Sequence, residues 1–303
     1  MEIDLVIKNY RCFADSRPAE IALRPGFTGL IGANNAGKSS LLRMFYELLS
    51  LFQMASNPGN LIGPLRGQAQ SFNPAESMRD QTELFCNRNT RNLSIEISAR
   101  SDGANAPGGV AGPRKVTLTV PYGTNQYVAS IDADTVPANV DGNTWGVEGN
   151  VIAPGGQQWV DLTYFHDACR LLSNTLYVGS FRNPINVGGG NYLDIQTGSA
   201  FITAWKQYKA GSTKANREAA LRLTDDIKRI FGFNELEITP AADDSTLILN
   251  IDKRTYRLDE QGSGVAHFII VLANVATRRP AYVLIDEPET GLHPSLQLDS
   301  CPG

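Results

Sequence analysis

The chain has 303 residues, 42% of them apolar, enough for a buried core in one large domain or two. Its formal net charge of −4 argues against the overall basic field of a dedicated nucleic-acid binder and leaves only a local patch open. Four scattered cysteines with no CxxC pair exclude a readable zinc site or disulfide framework, and no run reaches the ~18 apolar residues of a membrane span, so a reduced, cytoplasmic protein is expected.

The opening "MEIDLVIKNYRCF" alternates apolar and polar residues as a half-buried strand does, and lacks the basic and apolar regions of a signal peptide. "AEIALRPGFTGLI" follows, with a turn at Pro25-Gly26, and "FTGLI" (Phe27 to Ile31) reads as a short buried strand. Next comes Gly32-x4-Gly37-Lys38-Ser39, the phosphate-loop spacing. Glycines at these positions let backbone N–H groups turn toward a phosphate, the lysine reaches the outer phosphates, and the hydroxyl can hold Mg²⁺. "SSLLRMFYELLSLF" repeats apolar residues at helical spacing, so a helix N-terminus points its partial positive charge at the same loop.

From about Gln53 to Val160 glycine, proline and asparagine become frequent. "DGANAPGGVAGP" is a loop, and "NLSIEISAR", "KVTLTVPY" and "QYVASIDA" are strands of an expected antiparallel β insertion. "VDLTYFHDACRLLSN" reads as a helix and "TLYVGSFR" as a buried strand. Two helices around "SAFITAWKQYKAG" and "TKANREAALRLTDDIKRIFG" would form a small helical lobe, the second closed by Gly232. "LEITP" and "STLILNIDKRTYRL" are strands, "GVAHFIIVLANVATRR" is a helix stopped by Pro280, and "AYVLI" is a short buried strand. His166 and His267 fall among apolar residues on helices and read as core or interface side chains, as does the aromatic run Trp205 to Tyr208.

That last strand ends in Asp286-Glu287, which places two carboxylates at the edge of an α/β sheet where ligands bind. With Lys38 and Ser39 they complete a nucleotide site: Asp286 as a Mg²⁺ ligand and Glu287 as the group that polarises water for attack on the γ-phosphate. "DEQGSGVAHF" opens a further helix behind a Gly-Ser-Gly, a second anion-seeking N-terminus. It is either an ordinary glycine-rich helix start or a cap, through Ser263 and its neighbouring amides, on a γ-phosphate held by another subunit.

"LVIKNYRCF", "GANNAGKSSLL", "QGSGVAHFIIVL" and "YVLIDEPETGLHP", in this order, resemble the ABC-type ATPase heads of the RecF, SMC and overcoming-lysogenisation-defect (OLD) group, most of all the OLD-like AAA ATPases. The resemblance covers the two ends of the chain. It implies an α/β P-loop NTPase of ABC-head type: a mixed central sheet, the antiparallel β insertion and the small helical lobe. The nucleotide lobe would comprise 1–52, 176–182 and 236–303, the insertion with its helix 53–175, and the helical lobe 183–235. Gly32, Asn35, Gly37, Lys38, Ser39 and Ser40 match the nucleotide loop, and Ser263 and Gly264 match the signature acting across a dimer. Asp286 and Glu287 match the metal ligand and the catalytic carboxylate, and Gly291, Leu292 and His293 the loop that communicates across the dimer. Arg11 matches a basic residue that in such heads approaches the nucleotide. Where related heads carry a glutamine after the strand entering the helical lobe, this chain has Arg182 and Asn183. The ending "SLQLDSCPG" stands where such heads continue to another strand and a switch histidine, so a shortened chain is expected.

The implied function is ATP binding and hydrolysis with Mg²⁺, driving head-to-tail dimerisation into a homodimer or higher oligomer. This cycle would gate a nuclease or other effector subunit in anti-phage defence or DNA maintenance. The alternatives are an ATP-dependent scaffold or sensor with little turnover, and a DNA-clamping repair head, which the charge balance does not support.

Overall fold

The computed structural model describes residues 1–75, 78, 80–100, 115–132, 145–154, 160–179, 191–192, 195–261 and 263–287. They form two compact units, Met1–Thr175 and Leu176–Gly303.

The first unit is built on β1 (Glu2–Lys8), β2 (Ala19–Leu23), β3 (Gln70–Ser71), β4 (Leu93–Arg100), β5 (Val116–Val120) and β6 (Gln126–Ile131). They make one six-stranded sheet in the order β2-β1-β4-β5-β6-β3, with every neighbouring pair antiparallel. The period-2 pattern explains the register. Leu5 lies opposite Ile97, Ile7 opposite Ile95, and Ile95 opposite Leu118, so one face carries the buried side chains. Each such chain contributes roughly 1.5–3 kcal/mol on burial. On the other face Glu96 receives both Lys8 and Lys115, an ion-pair ladder across neighbouring strands. The strands expected of an insertion therefore continue the sheet that the opening strands begin.

The α-helices described in this unit are α1 (Lys38–Glu47), α2 (Leu49–Ala55), α3 (Pro58–Leu65) and α4 (Thr163–Ser173). The run expected as one helix after the loop is two, divided at Leu48, whose φ of −105° and ψ of 16° leave the helical region. α4 packs on α2 and β4, and α3 on β6, burying Phe52, Leu61, Tyr127, Phe165 and Cys169. His166 is 1% exposed and its Nδ1 lies 3.0 Å from the Ala55 carbonyl oxygen. A small antiparallel sheet, β7 (Trp145–Glu148), β8 (Val151–Pro154) and β9 (Val160–Asp161), precedes α4.

One expectation fails here. "FTGLI" is not a strand: residues 24–32 are irregular, Phe27 is 77% exposed and Ile31 is 99% exposed. A short apolar run has no strand stability of its own and needs a ladder partner, and none of the described strands pairs with it.

The second unit contains β10 (Thr175–Val178), β11 (Asn191–Tyr192), β12 (Ile195–Gln196), α5 (Gly198–Ala210), α6 (Lys214–Phe231), β13 (Leu236–Pro240), β14 (Leu247–Ile251), β15 (Arg254–Arg257), α7 (Ser263–Arg278) and β16 (Tyr282–Ile285). α5, α6 and α7 pack with the antiparallel β13-β14-β15 sheet around Trp205, Ile227, Ile238, Leu249 and Ile270. α6 ends at Gly232, whose φ of +69° makes it a left-handed C-cap. The strand expected over "STLILNIDKRTYRL" folds as a hairpin, because Asp252 and Lys253 both take positive φ (47° and 68°) and form a two-residue turn. Buried Asn274 accepts from the Gln196 amide and donates to its carbonyl, tying β12 to α7.

β10 is buried throughout and pairs with β16. β16 forms where expected but not in the buried setting expected, since Val283 is 39% and Ile285 40% exposed. Its only sheet neighbour among the described strands is β10. The single mixed central sheet is likewise not present among the described residues: the large sheet is antiparallel throughout, and β10–β16 is a separate pair. Among the described residues no helix is long and apolar enough to cross a membrane.

Candidate nucleotide-binding site

The loop from Gly32 to Gly37 turns on two left-handed residues, Asn35 (φ 63°) and Gly37 (φ 95°), with the Ala36 amide donating to the Ala33 carbonyl. Gly37 is required twice over. Its φ disfavours any side chain, and a Cβ there would stand 2.7 Å from Cys12 Sγ and from Phe13 Cζ. α1 begins at the next residue with no side-chain cap from Gly37, whose carbonyl accepts the Leu41 amide at 2.8 Å. The Lys38 ammonium folds back over the loop, donating to the carbonyls of Gly32 (2.7 Å) and Ala33 (3.0 Å). A Cβ on Gly32 would make only ordinary contacts, with Ala36 Cβ at 3.5 Å and Lys38 Cδ at 4.0 Å, so space alone does not require glycine there. Ser39 is exposed and Ser40 half-buried, on the first turn of the same helix. The arrangement offers a polyphosphate backbone amides, a helix N-terminus and a cation, and a bound anion would compete with the two carbonyls for that cation.

Arg11 stands at the turn leaving β1, with φ 46°. Its guanidinium engages Glu47, the last residue of α1, through Nη2 on Oε1 and Nε 3.2 Å from Oε2. Tyr10 donates its hydroxyl to Glu47 Oε2 at 2.7 Å, and Arg43 Nε forms an ion pair with Oε1 at 2.8 Å. The Glu47 side chain is fully buried. Burial, then the negative Glu47, push the Tyr10 phenol well above its ordinary pKa, so it remains a donor. Sequence reading missed Glu47. The available signal was an acid in the apolar run "FYELL", where a helix's last turn disfavours negative charge.

In the second unit, Asp286 and Glu287 follow β16, and the Asp286 amide donates to the Val178 carbonyl of β10 at 2.9 Å. Glu287 takes a left-handed φ of 52°. Ser263 opens α7 and Gly264 is buried in its first turn. Arg182, Asn183, Gly291, Leu292 and His293 lie outside the described residues. The structure thus gathers Gly32, Asn35, Gly37, Lys38, Ser39 and Ser40 around one turn of the first unit, turns Arg11 onto Glu47, and sets Asp286 beside Glu287 in the second unit.

Residues 1–100 match a family model described as an AAA ATPase domain. The first third of the chain is similar to that family. No curated protein matches the chain. The match supports an AAA-type ATPase with a P-loop nucleotide fold, and the segment that it covers contains the loop, α1 and the Arg11–Glu47 pair. Members of such a family generally use ATP and Mg²⁺. The Ser39 hydroxyl, on the first turn of α1, is a hard oxygen ligand of the kind that suits Mg²⁺. Among the described residues no group of three or more His, Cys, Asp or Glu could hold a metal alone.

Proposed function

We propose that this protein is an AAA-type ATPase of the OLD-like, ABC-head kind, which binds ATP with Mg²⁺ and hydrolyses it. Nucleotide-driven, head-to-tail dimerisation then gates a partner or fused effector, nuclease-linked in anti-phage defence or DNA maintenance. The observation that carries the reading is the loop itself. A left-handed Asn35 and Gly37 lead into a helix start with no side-chain cap, and Lys38 is folded over the loop's own carbonyls.

In this reading the amides at the start of α1 and the Lys38 ammonium take the phosphates, replacing the Gly32 and Ala33 carbonyls as the lysine's partners. Ser39 and Asp286 would hold Mg²⁺, which would supply positive charge to neutralise that developing on the phosphate oxygens. Glu287 takes a proton from the attacking water, and Ser263 with the Gly264 amide caps the γ-phosphate of the opposite subunit. Nucleotide binding and turnover test these roles. Lys38→Ala is expected to abolish ATP binding, and Glu287→Gln to keep binding while losing about a hundredfold or more in turnover. Unchanged binding in the first variant overturns the loop assignment; unchanged turnover in the second removes Glu287 as the base.

A further inference from the structure

The opening turn of the chain touches both ends of the phosphate-loop helix. At the N-terminal end, Cys12 and Phe13 lie so close to Gly37 that the glycine can carry no side chain. At the C-terminal end, about 15 Å away for a ten-residue helix, Tyr10 and Arg11 hold the Glu47 carboxylate. The turn between these contacts is stiff. Tyr10 and Phe13 exchange backbone hydrogen bonds of 3.1 and 2.8 Å, Arg11 N donates to Leu84 O at 3.2 Å, and Cys86 N donates to Asn9 O at 2.9 Å. Apart from its ion pair with Arg43, Glu47 gains little from its position in the helix. It opposes the dipole of the last turn, its side chain is fully buried, and its Arg43 partner stands on the less favourable N-terminal side. Its place is explained by what it grips.

We infer that Arg11 is a positioning residue, which sets the register of α1 through Glu47 and so fixes the phosphate-binding amides at Gly37 to Ser40, instead of touching the nucleotide. A sliding or rotating α1 would carry Gly37 into or away from Cys12 and Phe13, and the loop amides with it. The inference rests on the nucleotide reading of the loop.

A double-mutant cycle on the 303-residue chain tests it, with MgATP affinity as the readout for wild type, Arg11→Met, Glu47→Gln and the double variant. Each single change is expected to weaken affinity about tenfold, and the double to be no weaker than the weaker single. KM should rise in the same proportion while kcat stays within about twofold. Losses that multiply in the double variant place Arg11 on the nucleotide and overturn the inference. Wild-type affinity in both singles, with only a lowered melting temperature, reduces the cluster to a structural role and also overturns it. If Arg11→Met does not fold, Arg11→Lys keeps the charge without the fork and is expected to lose about threefold; wild-type affinity there contradicts the proposal. Lys38→Ala, run alongside, separates the two levels: retained affinity in that variant removes the nucleotide reading and this inference with it, whereas lost affinity with a multiplicative Arg11–Glu47 cycle removes the inference alone.

Discussion

At the scale of single residues, the turn after β1, the loop and α1 combine left-handed backbone at Asn9, Arg11, Asn35 and Gly37 with the buried carboxylate of Glu47. Gly37 combines a left-handed φ, which the phosphate-loop spacing implied, with a contact to Cys12 and Phe13 that excludes a side chain and that the spacing did not show. The Glu47 cluster was not legible, because a glutamate in an apolar helix gives no sign of which distant arginine will meet it. His166 was legible as a core residue. Its Nδ1 is on the Ala55 carbonyl and its Nε2 is buried without a hydrogen-bond partner, so the neutral ring with a proton on Nδ1 suits the site. Burial lowers its pKa, and burial lowers that of His267 too. The unfolded chain therefore takes up protons below about pH 6.5 that the folded chain refuses, and stability falls as pH drops through that value while remaining level above it. Melting temperature followed from pH 7.5 to 5.5 is expected to decline, and to decline less in His166→Asn, which keeps a donor for Ala55. An unchanged slope in that variant contradicts the assignment.

At the scale of elements, periodicity located most helices and strands, since the burial pattern follows from spacing whatever the tertiary context. β1, β4, β5, α4, α6 and α7 all alternate or repeat as their sequences imply. Short apolar runs behaved differently. "FTGLI" and "YVLI" have similar composition, yet one is irregular and the other is a strand paired with β10. The difference is the partner, which composition does not contain. The hairpin at Asp252-Lys253 was missed because no Gly or Asn marks it, and two ordinary residues carry the positive φ. Substitutions separate the buried from the exposed run directly. Ile95→Ala is expected to cost about 3 kcal/mol in chemical denaturation, and Ile31→Ala less than about 0.5 kcal/mol. A loss at Ile31 as large as that at Ile95 would mean that "FTGLI" is a buried strand after all.

At the scale of the whole molecule, the residues assigned to one nucleotide come from two compact units: the loop and α1 from Met1–Thr175, and Ser263, Asp286 and Glu287 from Leu176–Gly303. The sequence showed both sets, because glycine turns and carboxylates after an apolar strand carry local signatures. It did not show that β4, β5 and β6 would extend the sheet of β1 and β2, since pairing between distant strands depends on register and closure and not on either strand alone. The proposed function assigns both sets to a single magnesium nucleotide. ATP affinity with and without Mg²⁺, in wild type and in Asp286→Asn, tests it most directly. The account predicts that Mg²⁺ tightens binding in the wild type and that Asp286→Asn loses most of that gain, about tenfold, while metal-free affinity is unchanged. Equal dependence on Mg²⁺ in the two proteins would contradict it.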